Sequence, residues 1–313
     1  MKFGVVSLIG RPNAGKSTLL NRLVGTKVAI VSDKPQTTRN RILGVRNYPE
    51  AQVVYLDTPG IHRPLHRMNV RMVDTALQTI AEVDLVALVV DASQSFGSGD
   101  RYVLDRLRHA QQPLILVLNK VDLIVKPRLL PMIESLSRQH SFAEIVPVSA
   151  LTGENVDRLE RTFIDHLTEG EPLYPPDYLT DQPERFIVAE MVREQVLART
   201  HAELPFSTAV IVDRFEEPEV PGRGPRRGSR AGVPGSGLMR LFCTILVERD
   251  SQKPIVIGRG GAMIKQIGMA ARQGLERFFD TRVFLDLRVK VRPGWREDER
   301  ALDDLGLRTE QES

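Results

Sequence analysis

The chain runs to 313 residues, 42% apolar and 27% charged, with 43 Lys and Arg against 40 Asp and Glu for a formal net charge of +3. That composition leaves room for two domains with separate cores and excludes a disordered or fibrous chain. A single cysteine, Cys243, excludes an internal disulfide and fits a reducing compartment, and the longest internal apolar run, Leu85 to Val90, is too short to cross a bilayer.

In chain order, the apolar run Phe3 to Ile9 reads as a buried first strand and not a signal peptide, because Gly10-Arg-Pro-Asn-Ala-Gly-Lys-Ser17 follows at once. Thr18 to Val24 then has a helical pattern that Gly25 stops. Further strands are predicted at Arg41 to Arg46, Gln52 to Asp57, Leu85 to Asp91, Leu114 to Asn119 and Glu144 to Val148. Helices are predicted at Asn69 to Glu82, Asp100 to Ala110, Leu129 to Gln139 and Glu154 to Leu167. Alternating elements of this kind give a mostly parallel, doubly wound α/β sheet over residues 1–170, with ligands expected beyond the carboxyl ends of the strands. His62 and His66 fall on a polar loop, and no Cys/His cluster has metal-ligand spacing.

Residues 171–184, with four prolines among acids, read as a linker, and 185–313 as a second domain. There the pattern predicts a helix at Arg185 to Arg199, strands at Ser207 to Phe215 and Leu238 to Glu248, and an apolar strand end at Pro254 to Ile257. A helix over 261–280 and a strand at Arg282 to Arg292 complete it. Met239, Leu241, Cys243, Ile245 and Val247 share one face of their strand, as do Val283, Leu285, Leu287, Val289 and Val291 of theirs. Glu216 to Gly237, rich in Gly, Pro and Arg, reads as a mobile hairpin tip.

The motifs sit where such a sheet places ligands. Gly10-x4-Gly15-Lys16-Ser17 fits a loop whose backbone N–H groups wrap nucleotide phosphates, with Asn13, Ala14 and Thr18 in the same wrap. Lys16 reaches the outer phosphates and Ser17 offers a hydroxyl to Mg²⁺. Asp57-Thr-Pro-Gly60 supplies a carboxylate for a Mg²⁺ water and, at Gly60, an N–H for the terminal phosphate. In the polar segment Lys34 to Arg39, Thr38 is the candidate for a second Mg²⁺ ligand, with Thr37 the alternative. Asn119-Lys-Val-Asp122 reads the base: the Asp122 carboxylate can accept from the ring N–H and amino group of guanine, whereas adenine would leave it desolvated and unpaired. Asn119 braces the loops, the stem of Lys120 covers one face of the base, and Ser149-Ala150 aims backbone N–H groups at the guanine carbonyl. The nucleotide is therefore GTP or GDP.

In the second domain, Ile257-Gly258-Arg259-Gly260-Gly261 with Ile264 carries a Gly-x-x-Gly turn that lets a single-stranded RNA backbone approach closely. Arg259, Lys265 and Arg272 are the candidate phosphate contacts, and from Arg240 to Arg296 twelve Lys and Arg face five Asp and Glu.

Together these motifs resemble the translation-factor-like bacterial GTPases and, more closely, the Era family. The resemblance implies a P-loop GTPase domain followed by an α+β type II KH domain. It also implies a GTP-hydrolysing switch that binds the 3′ end of 16S ribosomal RNA and assists maturation of the 30S subunit, as a monomer. The chain has Ile61 where GTPases of the Ras type carry the glutamine that orients the attacking water. Asn13 matches the residue that holds K⁺ near the developing phosphate charge in related GTPases, so K⁺ activation is expected. Basic patches leave peripheral contact with the inner membrane open, without an amphipathic anchor. The alternative is a signalling or membrane-recruitment GTPase whose second domain binds another RNA or a protein.

Overall fold

A computed structural model of the chain describes residues 1–200, 204–218 and 237–307; most of the expected hairpin tip lies outside the described residues. The chain divides into two compact units, one reaching from Met1 to Gln182 and regaining the chain at Gly306, the other Pro183–Leu305.

The first unit contains β1 (Lys2–Gly10), α1 (Lys16–Val24), β2 (Ile42–Asn47), β3 (Ala51–Asp57), α2 (Arg67–Ala81), β4 (Leu85–Asp91), α3 (Ser98–Leu107), β5 (Leu114–Asn119), α4 (Leu129–Ser137), β6 (Glu144–Pro147), α5 (Val156–His166) and β7 (Thr168–Glu169). The strands form one sheet in the order β2-β3-β1-β4-β5-β6, with β7 paired to β1. Only β2 and β7 run antiparallel to their neighbours. The long apolar runs are explained by this position: β3 is buried at every residue and β4 at all but Asp91, as strands covered on both faces must be. Strand order reverses beside β1, so the loop leaving β1 opens at the switch point of the sheet.

The segment read as a linker is not free chain. Leu179 O accepts from Val45 N at 2.9 Å, Thr180 Oγ1 donates to Leu43 O at 2.6 Å, and Gln182 Nε2 donates to Arg41 O at 3.3 Å. Upstream, the fully buried Gln52 side chain donates to Tyr174 O and accepts from Tyr174 N. These bonds cover the otherwise open edge of β2. The chain end also departs from the expectation of a second domain continuous to residue 313: Leu307 is buried in the first unit, where its carbonyl accepts from Arg71 Nη1 at 2.5 Å.

The second unit contains α6 (Glu184–Arg199), α7 (Leu204–Ser207), β8 (Ala209–Glu216), β9 (Leu238–Val247), α8 (Lys253–Ile257), α9 (Ala262–Phe279), β10 (Arg282–Val291) and α10 (Glu299–Asp304). Its sheet has the order β10-β9-β8, with β9 parallel to β10 and antiparallel to β8. Met239, Leu241, Cys243, Ile245 and Val247 are all buried, and the alternate residues of β10 pack against the same core under α6 and α9. Burial pushes the Cys243 thiol up to about 12, leaving it unreactive at neutral pH. The strand end expected at Pro254 to Ile257 is instead the helix α8. Its Pro254 lies in the first turn, where a missing N–H costs nothing, and its carbonyl accepts from Gly258 N at 2.8 Å. Four apolar residues carry no period long enough to separate a strand from one helical turn.

Candidate nucleotide site and nucleic-acid groove

The phosphate loop is held by its neighbours. A Cβ on Gly10 would lie 2.3 Å from the Val89 carbonyl of β4, and one on Gly60 would lie 2.5 Å from the backbone nitrogen of Pro12. Both positions therefore need glycine for close approach. Lys16, at the start of α1, is buried and turns its ammonium onto the Gly10 and Arg11 carbonyls at 3.2 and 3.0 Å. Burial lowers its pKa to about 8, against the opposing pull of Asp57.

Three oxygens from three segments converge beyond it. Ser17 Oγ donates to Asp57 Oδ2 at 2.5 Å and lies 2.7 Å from Thr38 Oγ1, which itself reaches Asp57 Oδ2 at 3.3 Å. Thr37 turns the other way, donating its hydroxyl to Lys34 O at 2.6 Å. Asp57 is fully buried, and burial raises its pKa against the counter-pulls of Lys16, Ser17 and Thr38. Its Oδ1 has no hydrogen-bond partner. A buried carboxylate with an orphaned oxygen beside two hydroxyls is a donor set that fits a hard divalent cation.

The loops expected to read the base are braced by one side chain. Asn119 Nδ2 donates to Ala14 O and Asn119 Oδ1 accepts from Ala150 N, both at 2.9 Å, tying the phosphate loop to the Ser149-Ala150 turn. Lys120 anchors its ammonium on Asp91 Oδ2 at 2.7 Å, and its Cε lies 4.0 Å from where a Gly15 Cβ would stand. The sequence carried no sign of this role for Asp91, which hydrogen bonds from Lys120 and Ser93 hold below the usual carboxylate range although partial burial, the largest influence, acts the other way. Asp122 stands exposed in the short turn Val121–Leu123, with its carboxylate open to a ligand. Thr18 follows in the first turn of α1, and Ser149 is buried behind the Ala150 amide.

Asn13 takes a positive φ of 64° and donates through Nδ2 to Asp33 O at 2.7 Å, which leaves its Oδ1 available as a ligand atom. Ile61 points into the apolar core of the sheet, 1% exposed. The next residue links this loop to the segment Lys34 to Arg39. His62 Nδ1 lies 2.8 Å from Gly60 O, and Nε2 lies 3.1 Å from Gln36 Nε2. A carbonyl can only accept, so Nδ1 carries the proton and Nε2 accepts from the amide. Neither Gln36 nor His62 stood out in the sequence for this contact.

In the second unit, Gly258 has φ 75°, and a Cβ there would meet Met263 at 2.6 Å. Gly260 and Gly261 take φ 60° and 80° with nothing within 4 Å of a built Cβ, so their peptide groups are open to an incoming backbone. Arg259 is exposed at the turn, and Ile257 and Ile264 flank it half-buried. A groove of about 650 Å³ runs between α9 and β10, lined by Ile264, Lys265 and Arg272 of the motif helix and by Arg282 and Phe284 opposite. Of the expected residues Ile264, Lys265 and Arg272 supply one wall, Ile257 to Gly261 do not line the groove, and Phe284, 46% exposed, belongs to the other wall.

Residues 5–120 match the family model described as 50S ribosome-binding GTPase, and 230–296 match the KH domain model. The chain is 50% identical over 303 residues to GTPase Era of Geobacter metallireducens and 48% identical to that of Geotalea daltonii, in each case covering 97% of both chains. Among solved structures it is similar to Era in complex with MgGDPNP and nucleotides 1506–1542 of 16S ribosomal RNA, with TM-score 0.90, 39% identity, and coverage of 99% of this chain and 100% of that one. A single-site variant of Aquifex aeolicus Era bound to GDP and tetrafluoroaluminate matches with the same figures.

Proposed function

Because the chain belongs to the Era family and is a GTP-hydrolysing enzyme, we propose that its nucleotide state controls binding to the 3′ end of 16S ribosomal RNA during small-subunit maturation. The observation that carries this reading is the open Gly258 to Gly261 turn leading into α9, whose Ile264 and Lys265 line the groove beside β10, on a chain alike over its whole length to one solved with that RNA. Sequencing RNA crosslinked to the protein in cells tests it. Enrichment of the 16S 3′ end is expected, and enrichment of unrelated RNA overturns it.

In the proposed chemistry, water attacks the γ-phosphorus of GTP and GDP departs as the bond to the β-γ bridging oxygen breaks. Lys16 and the Gly60 N–H take up the charge that develops on the phosphate oxygens, so positioning and electrostatics do the work. Ser17, Thr38 and Asp57 would hold Mg²⁺, which would supply positive charge to offset that of the phosphates. Ile61, buried in the core, cannot orient the water. That task falls to the backbone around Gly60, held by His62, and Asn13 would hold a K⁺ ion that supplies positive charge nearby. Faster hydrolysis in K⁺ than in Na⁺, lost in Asn13→Ala, is expected; equal rates in the two salts remove the ion from the mechanism.

A further inference from the structure

The three-stranded sheet of the second unit has a second face that its helices do not cover. Inward residues of β9 and β10 fill the core, while their alternates point the other way. Among these, Phe242 and Phe284 stand on adjacent strands with ring centroids 6.0 Å apart and planes at 58°. The Arg214 guanidinium lies over the Phe242 ring, 5.7 Å from its centroid. At the opposite end the face closes, since Ala209 and Leu246 are buried.

Charge on this face is biased toward cations. Arg214, Arg240, Arg282, Arg288 and Lys290 share it with Asp213, Glu216 and Asp286. The three acids are engaged: Glu216 by Arg214, Asp286 by Arg288 at 3.5 Å, and Asp213 by the Thr244 hydroxyl at 2.7 Å. Arg240 and Arg282 have no ion pair among the described residues, and both flank the aromatic pair, with Arg240 directly opposite Phe284 in register. Arg282 and Phe284 also line the groove between α9 and β10. The aromatic face and the groove are therefore continuous around the edge of β10.

We propose that this outer face binds single-stranded RNA as an extension of the groove, with bases stacked on Phe284 and Phe242 and phosphates on Arg282 and Arg240. Two aromatic rings on one sheet face, Phe284 exposed and Phe242 half-buried, bordered by arginines with no ion pair among the described residues, are a sequence-tolerant stacking platform. The inference rests on the RNA-binding reading above, and the experiment separates the two.

Affinity of the full-length protein for an RNA of nucleotides 1506–1542 of 16S ribosomal RNA is measured by fluorescence anisotropy. Gly260→Asp, in the turn that leads into α9, is expected to weaken binding most. Phe242→Ala is expected to weaken it roughly tenfold, and Phe242→Trp to restore it. Arg240→Gln, at an exposed position with no ion pair among the described residues, is expected to weaken binding a few-fold and flatten its salt dependence. With 4-thiouridine in the RNA, a crosslink to the peptide containing Phe242 is expected. Wild-type affinity in Phe242→Ala and Arg240→Gln, with Gly260→Asp still defective, overturns this inference alone; it is the result a protein-binding face would give. Wild-type affinity in Gly260→Asp as well overturns both readings.

Discussion

The nucleotide site and the nucleic-acid groove are built in opposite ways. Around Lys16 the functional atoms are buried and hydrogen-bonded to one another across segments far apart in sequence: Ser17 to Asp57, Asn119 to Ala14 and Ala150, Lys120 to Asp91. Around Gly260 they are exposed, and the geometry resides in backbone torsions with empty space beside them. A small ligand of fixed shape suits preorganised, desolvated partners, whereas a flexible polyanion suits open backbone and long cationic side chains. A change in the first region should therefore be all-or-none, and one in the second graded.

The largest effect is expected at Asp122. Asp122→Asn removes the charge, keeps one acceptor and turns the other into a donor facing a donor, which should weaken GTP binding on the order of a thousandfold. It should shift preference toward xanthosine triphosphate, because the amide reverses one hydrogen-bond polarity. Competition titration with both nucleotides checks this, and an unchanged preference removes Asp122 from the base site.

Glycine tests the contrast more directly. Gly10→Ala forces a methyl group against the Val89 carbonyl at 2.3 Å, a backbone-to-backbone clash expected to cost several kcal/mol of stability. Gly260→Ala meets nothing within 4 Å and pays only for its positive φ, about 1 kcal/mol. Thermal melts of the two variants should differ by many degrees. Equal melts would mean that the phosphate loop is not pinned by β4.

How much of this was legible depended on whether the chemistry is local in sequence. The proposed phosphate loop, Asp57 to Gly60, Asn119 to Asp122 and the Gly258 to Gly261 turn each lie within a few residues, so each could be proposed from a local motif. Pro254 to Ile257 was misread because four apolar residues fit a strand end or a helical turn equally well. The segment 171–184 looked like a linker because prolines and acidic residues are dense in it. Its order comes instead from Gln52 and the β2 backbone, partners more than a hundred positions away. Asp91 and the Gln36–His62 contact were invisible for the same reason: each is ordinary in its own sequence neighbourhood and acquires a role only across the fold. The tail at Leu307 likewise gave no sign of packing in the first unit.

A smaller effect follows from the burial of Lys16. Its ammonium is the form that pairs with phosphate, and in the free protein it titrates at about 8. Phosphate oxygens favour the charged form, so binding above that pH takes up a proton. Affinity for GDP should be flat below pH 8 and fall by up to tenfold per unit above it. The unliganded protein shows the reverse. Between about 8 and the ordinary value of 10.5 the unfolded chain holds a proton that the folded one has released, so stability rises with pH in that window. Calorimetric titration from pH 7 to 9 with a parallel set of melts checks both signs; an affinity independent of pH would place Lys16 away from the phosphates.

The gentlest change is expected on the exposed face of α9, where Lys265 makes no ion pair among the described residues and Arg272 shares its charge with Glu276 at 3.9 Å. If the groove tracks a phosphate backbone, Lys265→Gln should lower RNA affinity only a few-fold at moderate salt. It should also reduce the slope of log affinity against log salt by about 0.7, the contribution of one contact to a single strand. Arg272→Gln should do less, because the freed Glu276 and the lost guanidinium were already partly compensating. GTP binding should be untouched by either, since neither side chain belongs to the nucleotide unit. A loss of RNA affinity with an unchanged salt slope would instead assign Lys265 to packing, and the graded behaviour expected of an open, cationic surface would not hold for this groove.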